Sequence, residues 1–113
     1  MRRGTIRWLR AACLLAASSS ALCAEPLVVA PELWDRPRSA RAVLDQPEIR
    51  EAVRAHLAQA GSRLVIHHSL GQEPLLQAEE LRAWLMALAV DAARITLVND
   101  LKSNQTMTIE VLK

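Results

Sequence analysis

The stretch RLVIHHSLG (Arg63–Gly71) combines an apolar run, two histidines and a turn. Three successive apolar residues, Leu64 to Ile66, precede two adjacent histidines and a Ser-Leu-Gly turn. A short uninterrupted apolar run of this kind predicts a strand buried in the middle of a sheet. Because successive side chains on a strand point to opposite faces, His67 and His68 are predicted not to share one metal ion.

An amphipathic helix is predicted on the N-terminal side of this strand. Pro47 suits the first helical position, where its missing N–H costs nothing, and Gly61 is expected to end the helix. The spacing of four, four and three residues predicts one apolar stripe, formed by Ile49, Val53, Leu57 and Ala60.

A second amphipathic helix is predicted from about Pro74 to Val90. Its core-facing stripe has the spacing i, i+3, i+4 and i+7 and consists of Leu81, Trp84, Leu85 and Leu88. The adjacent acids Glu79 and Glu80 are expected to be solvated. As a simple surface residue, Arg82 would pair with Glu79.

The remaining strands complete the predicted architecture. Leu27 to Ala30 lie between two prolines, which favours a short strand near an edge, and a further strand begins at Ile95. The last segment has period two, with Met107, Ile109 and Val111 on one face. The intervening NDLKSNQ is short enough for a hairpin. The predicted order is strand-helix-strand-helix-strand-strand, a two-layer α/β (α+β) sandwich with helices on one face of a mixed sheet.

The first 24 residues are predicted to be a secretory signal peptide. Four arginines precede the apolar-to-small segment AACLLAASSSAL, which is too short for a membrane-spanning helix. Cleavage is expected after Ala24, with Ala21 as the alternative. A lipoprotein is disfavoured because Leu22 stands before Cys23, where a lipobox needs a small residue. Periplasmic localisation follows, with residues 25–113 as one domain.

Removal of this segment changes the charge and cysteine arguments. The chain has 14 Lys+Arg and 12 Asp+Glu, and without the four N-terminal arginines it has ten basic residues and a net charge of −2. Nucleic-acid binding, which needs a basic patch, is therefore not supported. Both cysteines also lie in the predicted signal, so the exported domain has no disulfide and no thiolate metal site. No metal or other cofactor, no transmembrane segment in the mature chain and no enzyme activity are predicted.

These motifs together resemble the OmpA-like peptidoglycan-binding domain of the bacterial envelope. Leu33-Trp34-Asp35 is similar to the family's Leu-Phe-Asp, and Pro47 to its Pro-led first helix. IHHSLG stands where the family has Gly-His-Thr-Asp followed by Gly. Arg82-Ala83 matches the family's Arg-Ala, and AVDAARI (Ala89–Ile95) is similar to Gly-Val-x-x-x-Arg-Ile. The resemblance covers residues 27–113.

The resemblance implies where a ligand is held. In the family, the Asp and the Arg bind the ammonium and carboxylate of diaminopimelate in peptidoglycan. His68 stands at the Asp position, and Arg82 at the Arg position. An imidazole does not replace a carboxylate opposite an ammonium, so this site is expected to bind peptidoglycan weakly or not at all.

Two functions follow as expectations. The first is a small exported envelope module that binds an envelope protein rather than the cell wall. The alternative is a periplasmic site for a small anion or a peptidoglycan fragment, with Arg82 and His68 as its ligand-binding residues.

Overall fold

The computed structural model describes residues 25–113, in which four strands form one sheet around a central strand, β2 (Arg63–Ser69). β2 pairs in parallel with β3 (Ile95–Leu101) and antiparallel with β4 (Thr108–Leu112). The two-residue strand β1 (Leu27–Val28) pairs antiparallel with β4, so the strand order is β1-β4-β2-β3. The predicted buried central strand is confirmed.

Helices cover one face of this sheet. The helices are α1 (Ala40–Leu44), α2 (Pro47–Leu57) and α3 (Gln72–Ala87). Leu64, Ile66 and Ile109 point towards this layer, and each is 0% exposed. Val65 and His67 point to the opposite side, which we call the open face, and are half-buried. The predicted two-layer sandwich is therefore confirmed.

The apolar stripe of α2 differs from the prediction. Ile49 and Val53 are buried, but Leu57 is 57% exposed and Ala60 is also exposed. Each four-residue step turns about 40° past a full turn, so two such steps carry Leu57 away from the sheet. Ala52, one residue before Val53, is buried in the core instead.

α3 begins two residues before its predicted start and ends three before its predicted end. Leu81 and Leu85 are fully buried, and Trp84 and Leu88 pack at the border of the core, so the predicted stripe is confirmed. The chain leaves the helix through Ala89, whose φ of 80° is left-handed.

The helix α1 has no counterpart in the sequence prediction. Its N-terminus is capped by the Ser39 hydroxyl, which accepts a hydrogen bond from the Ala42 N–H at 3.1 Å. Val43 is 0% exposed and joins the core. This single turn brings the segment before α2 down onto the core.

The predicted hairpin between the last two strands is wrong. β3 and β4 are not neighbours, because β2 lies between them and pairs with both. The connecting residues 102–107 therefore cross the end of β2. Two strand spacings amount to about 10 Å, which six residues span easily, so loop length did not separate the two topologies.

Residues 1–24, with the predicted signal peptide and both cysteines, lie outside the described residues. Across residues 25–113, none of the helices combines the length and the apolar character that crossing a membrane requires.

Candidate functional site

His68 lies at the end of β2 and is 4% exposed. Its Nδ1 is 2.9 Å from the carbonyl oxygen of Ser69. Since a carbonyl oxygen only accepts, Nδ1 carries the proton and donates it in this bond. In a neutral ring, Nε2 is then left as an acceptor for a ligand's N–H or O–H group.

A cleft of about 270 Å³ opens beside this histidine, and we call it the His68 cleft. Four segments line it: the chain after β1, the end of β2, the start of α3 and the loop before β4. Its lining residues are Val29, Pro31, Trp34, His68, Ser69, Pro74, Gln77 and residues 103–107. None of them is Asp, Glu, Lys or Arg, so the walls are apolar with a rim of hydroxyl and amide groups.

Local chain geometry brings these segments together. The pairing of β2 with β3 shifts register between His67 and Ser69, which ends the regular ladder at this point. Gly71 follows with a φ of 121°, a backbone conformation that residues other than glycine rarely adopt. This turn sets Pro74 and the first turns of α3 directly over the end of the strand.

Arg82 does not line the His68 cleft. It lies with Glu79 in a shallow groove between α3 and the edge strand β3. Gln77 of the same helix does line the cleft, and residues five apart on a helix differ in direction by about 140°. A small ligand in the cleft would therefore meet His68 and not Arg82.

His67 faces the open side of the sheet, as the strand alternation predicts. Its Nδ1 lies 2.9 Å from Asp100 Oδ1 on β3, and its Nε2 lies 2.9 Å from Glu110 Oε1 on β4. Partial burial lowers the pKa of His67, but the hydrogen bonds to Glu110 and Asp100 outweigh it, so the net pKa is raised. Among the described residues, no group of three His, Cys, Asp or Glu is placed to hold a metal ion.

A second polar network, which the sequence did not predict, joins α3 to the segment before α1. Arg38 Nε and Nη2 donate to the two carboxylate oxygens of Glu80 at 2.8 and 3.0 Å. Trp84 Nε1 donates to the same carboxylate, and the Arg38 guanidinium lies 5.5 Å from the Trp34 ring centre. Glu80 is therefore not a freely solvated acid, and for this residue the prediction is wrong. The partners are 42 residues apart, which no local spacing reveals.

We expect Glu80→Gln to lower the thermal unfolding midpoint by roughly 3 °C, because the bidentate contact with Arg38 is lost. The hydrogen bond to Arg38 also lowers the pKa of Glu80, so this stabilisation is lost as the pH falls through that lowered pKa. Calorimetry of Glu80→Gln and of the neighbouring Glu79→Gln gives a matched comparison. Equal midpoints for the two variants would contradict the anchoring role.

Comparison with protein-family models, with curated proteins and with solved structures finds no match to this chain.

Proposed function

We propose that this chain is a small exported envelope module that binds an uncharged, apolar segment of another envelope protein in the His68 cleft. The observation that carries the proposal is the charge of the cleft. A zwitterion such as diaminopimelate needs a carboxylate and a guanidinium on either side of it, and the cleft residues include neither. This favours a neutral ligand group over the cell wall.

The size of the cleft supports the same partner. At about 270 Å³ it is just below the range of about 300–1,000 Å³ that is usual for small-molecule sites. Such a volume suits one or two side chains of a protein segment better than a sugar with its attached peptide. The polar rim at Gln77, Asn104 and Gln105 offers amide groups to the backbone of that segment.

Exposed leucines extend this surface beyond the cleft. Leu70, Leu75 and Leu76 are 70%, 40% and 59% exposed and flank cleft residues along the chain. Exposed large apolar side chains beside a cleft are typical of protein-binding surfaces. The apolar contact area for a partner is therefore larger than the cleft alone.

The resemblance to OmpA-like domains is retained as a proposal, and the backbone at Ala89 supports it. Ala89 stands where the resemblance implies a glycine, and its φ of 80° is the conformation that favours glycine. Export to the periplasm rests on the predicted N-terminal signal.

The alternative, binding of a small anion or a peptidoglycan fragment through Arg82 and His68, is less well supported. It needs the two side chains to meet one ligand, and they line different depressions. Arg82 alone offers one cationic group in a shallow groove, which gives weak binding of a carboxylate.

Sedimentation with purified sacculi tests the choice between wall and protein. We expect the protein to stay in the supernatant, because the cleft has no ion pair for the peptide of the wall. Arg82→Ala should behave like the unchanged protein. Strong retention that Arg82→Ala abolishes would contradict the proposal and restore the wall as the ligand.

A further inference from the structure

The side chains of His67, Asp100 and Glu110 connect three strands on the open face, and we call them the His67 clasp. His67 is 19% exposed, whereas Asp100 and Glu110 are 49% and 34% exposed. Their contacts tie β3 and β4 to the two sides of β2. The function proposed above does not use these residues.

The contacts require a charged ring. A neutral imidazole has one N–H group and can donate to one carboxylate, whereas an imidazolium donates from both nitrogens. Both nitrogens lie at hydrogen-bond distance from a carboxylate oxygen, on opposite sides of the ring. Loss of the proton therefore removes one of the two ties.

The clasp lies next to the loop that forms one wall of the His68 cleft. Asp100 is two residues before residues 102–107, and Thr108, directly after them, is paired with His67 across β2 and β4. This loop crosses the end of β2, and its residues 103–107 line the cleft. Both ends of the loop are thus held by strands that His67 joins.

We propose that His67 is a proton-operated clasp that sets the position of residues 103–107 and so controls access to the His68 cleft. The proposal rests on the binding function proposed above. When His67 is protonated, β3 and β4 are both tied to β2 and the cleft wall is held. When His67 is neutral, one tie opens and the loop gains freedom.

We attribute the pH response of the loop to His67 and its two carboxylate partners, because few other charged groups lie near this ring. Within residues 25–113, the charged groups that face His67 from the neighbouring strands are Asp100 of β3 and Glu110 of β4. On β2 itself, Arg63 lies at the other end of the strand, opposite Leu112 of β4. The helices of residues 25–113 lie on the other face of the sheet and do not pack near His67. His68 points to the other side of the sheet.

The direction of the pH effect follows from the pKa. Because the pKa of His67 is raised in the folded protein, the stabilisation is complete below the unfolded value of about 6.5 and is lost as the pH rises through the raised pKa. The loop is therefore held at pH 6 and released at higher pH.

Amide hydrogen exchange followed by NMR between pH 6 and 9 tests the clasp without any ligand. Exchange is expressed as protection factors, so that the intrinsic pH dependence is removed. We expect protection of the amides of Val98 to Leu101 and of Gln105, whose N–H donates to the Lys102 carbonyl, to fall about two- to fivefold with the titration of His67, as for a partly exposed ion pair. In His67→Gln this step should be absent.

A double variant, Asp100→Asn with Glu110→Gln, keeps the imidazole and removes its partners. The step should disappear there too, while the His67 resonances still titrate. A step that persists in either variant, or a flat profile in the unchanged protein, would overturn the clasp. The clasp and the proposed function can fail separately. If protection falls with the titration of His67 but crosslinking finds no partner at the cleft, the clasp stands and the proposed function is refuted.

Discussion

Leu81→Ala should lower the free energy of unfolding by about 2–5 kcal/mol, the range for a buried leucine that leaves a cavity. Leu81 is 0% exposed and packs from α3 into the core over β2. Native domains have about 5–15 kcal/mol in total, so this single change should remove a substantial part of the stability.

Leu57→Ala is the matched control for this prediction. Leu57 belongs to the apolar stripe predicted for its helix, as Leu81 does for α3, but its side chain is 57% exposed. The change should stay within about 0.5 kcal/mol. Urea unfolding of both variants gives the comparison, and similar losses for the two would show that the helices are docked differently.

His68→Asp should destabilise the fold by about 3 kcal/mol at neutral pH. An aspartate at position 68 would cost little stability if it paired with Arg82. Arg82, however, lines another depression, and position 68 is 4% exposed. A carboxylate there is buried without a counter-charge, which is costly.

His68→Asn is the uncharged control for His68→Asp. Asparagine has nearly the same shape as aspartate, and its amide can still donate to the Ser69 carbonyl. The buried carboxyl of His68→Asp should have a raised pKa, so its penalty is complete above that raised pKa and is lost as the pH falls towards the unfolded value of about 3.9. Urea unfolding at pH 4 and 7.5 measures both variants. Equal stability of the two variants at pH 7.5 would contradict the burial of this position.

The sequence predicted the parts of the fold that depend on local periodicity. The apolar run at Leu64 to Ile66 identified the central strand, and the alternation around Ile109 identified the buried face of β4, where Ile109 is 0% exposed. These predictions succeed because side-chain direction repeats every two residues on a strand. The apolar stripe of α3 was predicted correctly because residues three and four apart lie on the same face of a helix.

Features that depend on distant parts of the chain were not predictable. The order β4-β2-β3 depends on which side of β2 the last strand joins, and a six-residue loop permits either arrangement. The Arg38 and Glu80 pair joins residues that no motif connects.

The candidate site was predictable only in part. The position of His68 near the end of a strand was correctly predicted, because the apolar run before it and the Ser-Leu-Gly turn after it mark that end. The separation of Arg82 from it depends on the rotation of α3, which the helical stripe defines only to within a residue or so.

In-cell photo-crosslinking shows directly whether a protein segment occupies the His68 cleft. A photoreactive residue at Gln105, on the rim of the cleft, should give one discrete protein adduct that mass spectrometry identifies. The same residue at Gln59, which is exposed and precedes the opposite end of β2, should not give it. Gln77→Trp, which fills the cleft, should abolish the adduct from position 105. An adduct that persists with Gln77→Trp, or that forms equally from position 59, would contradict the binding of a partner in the cleft.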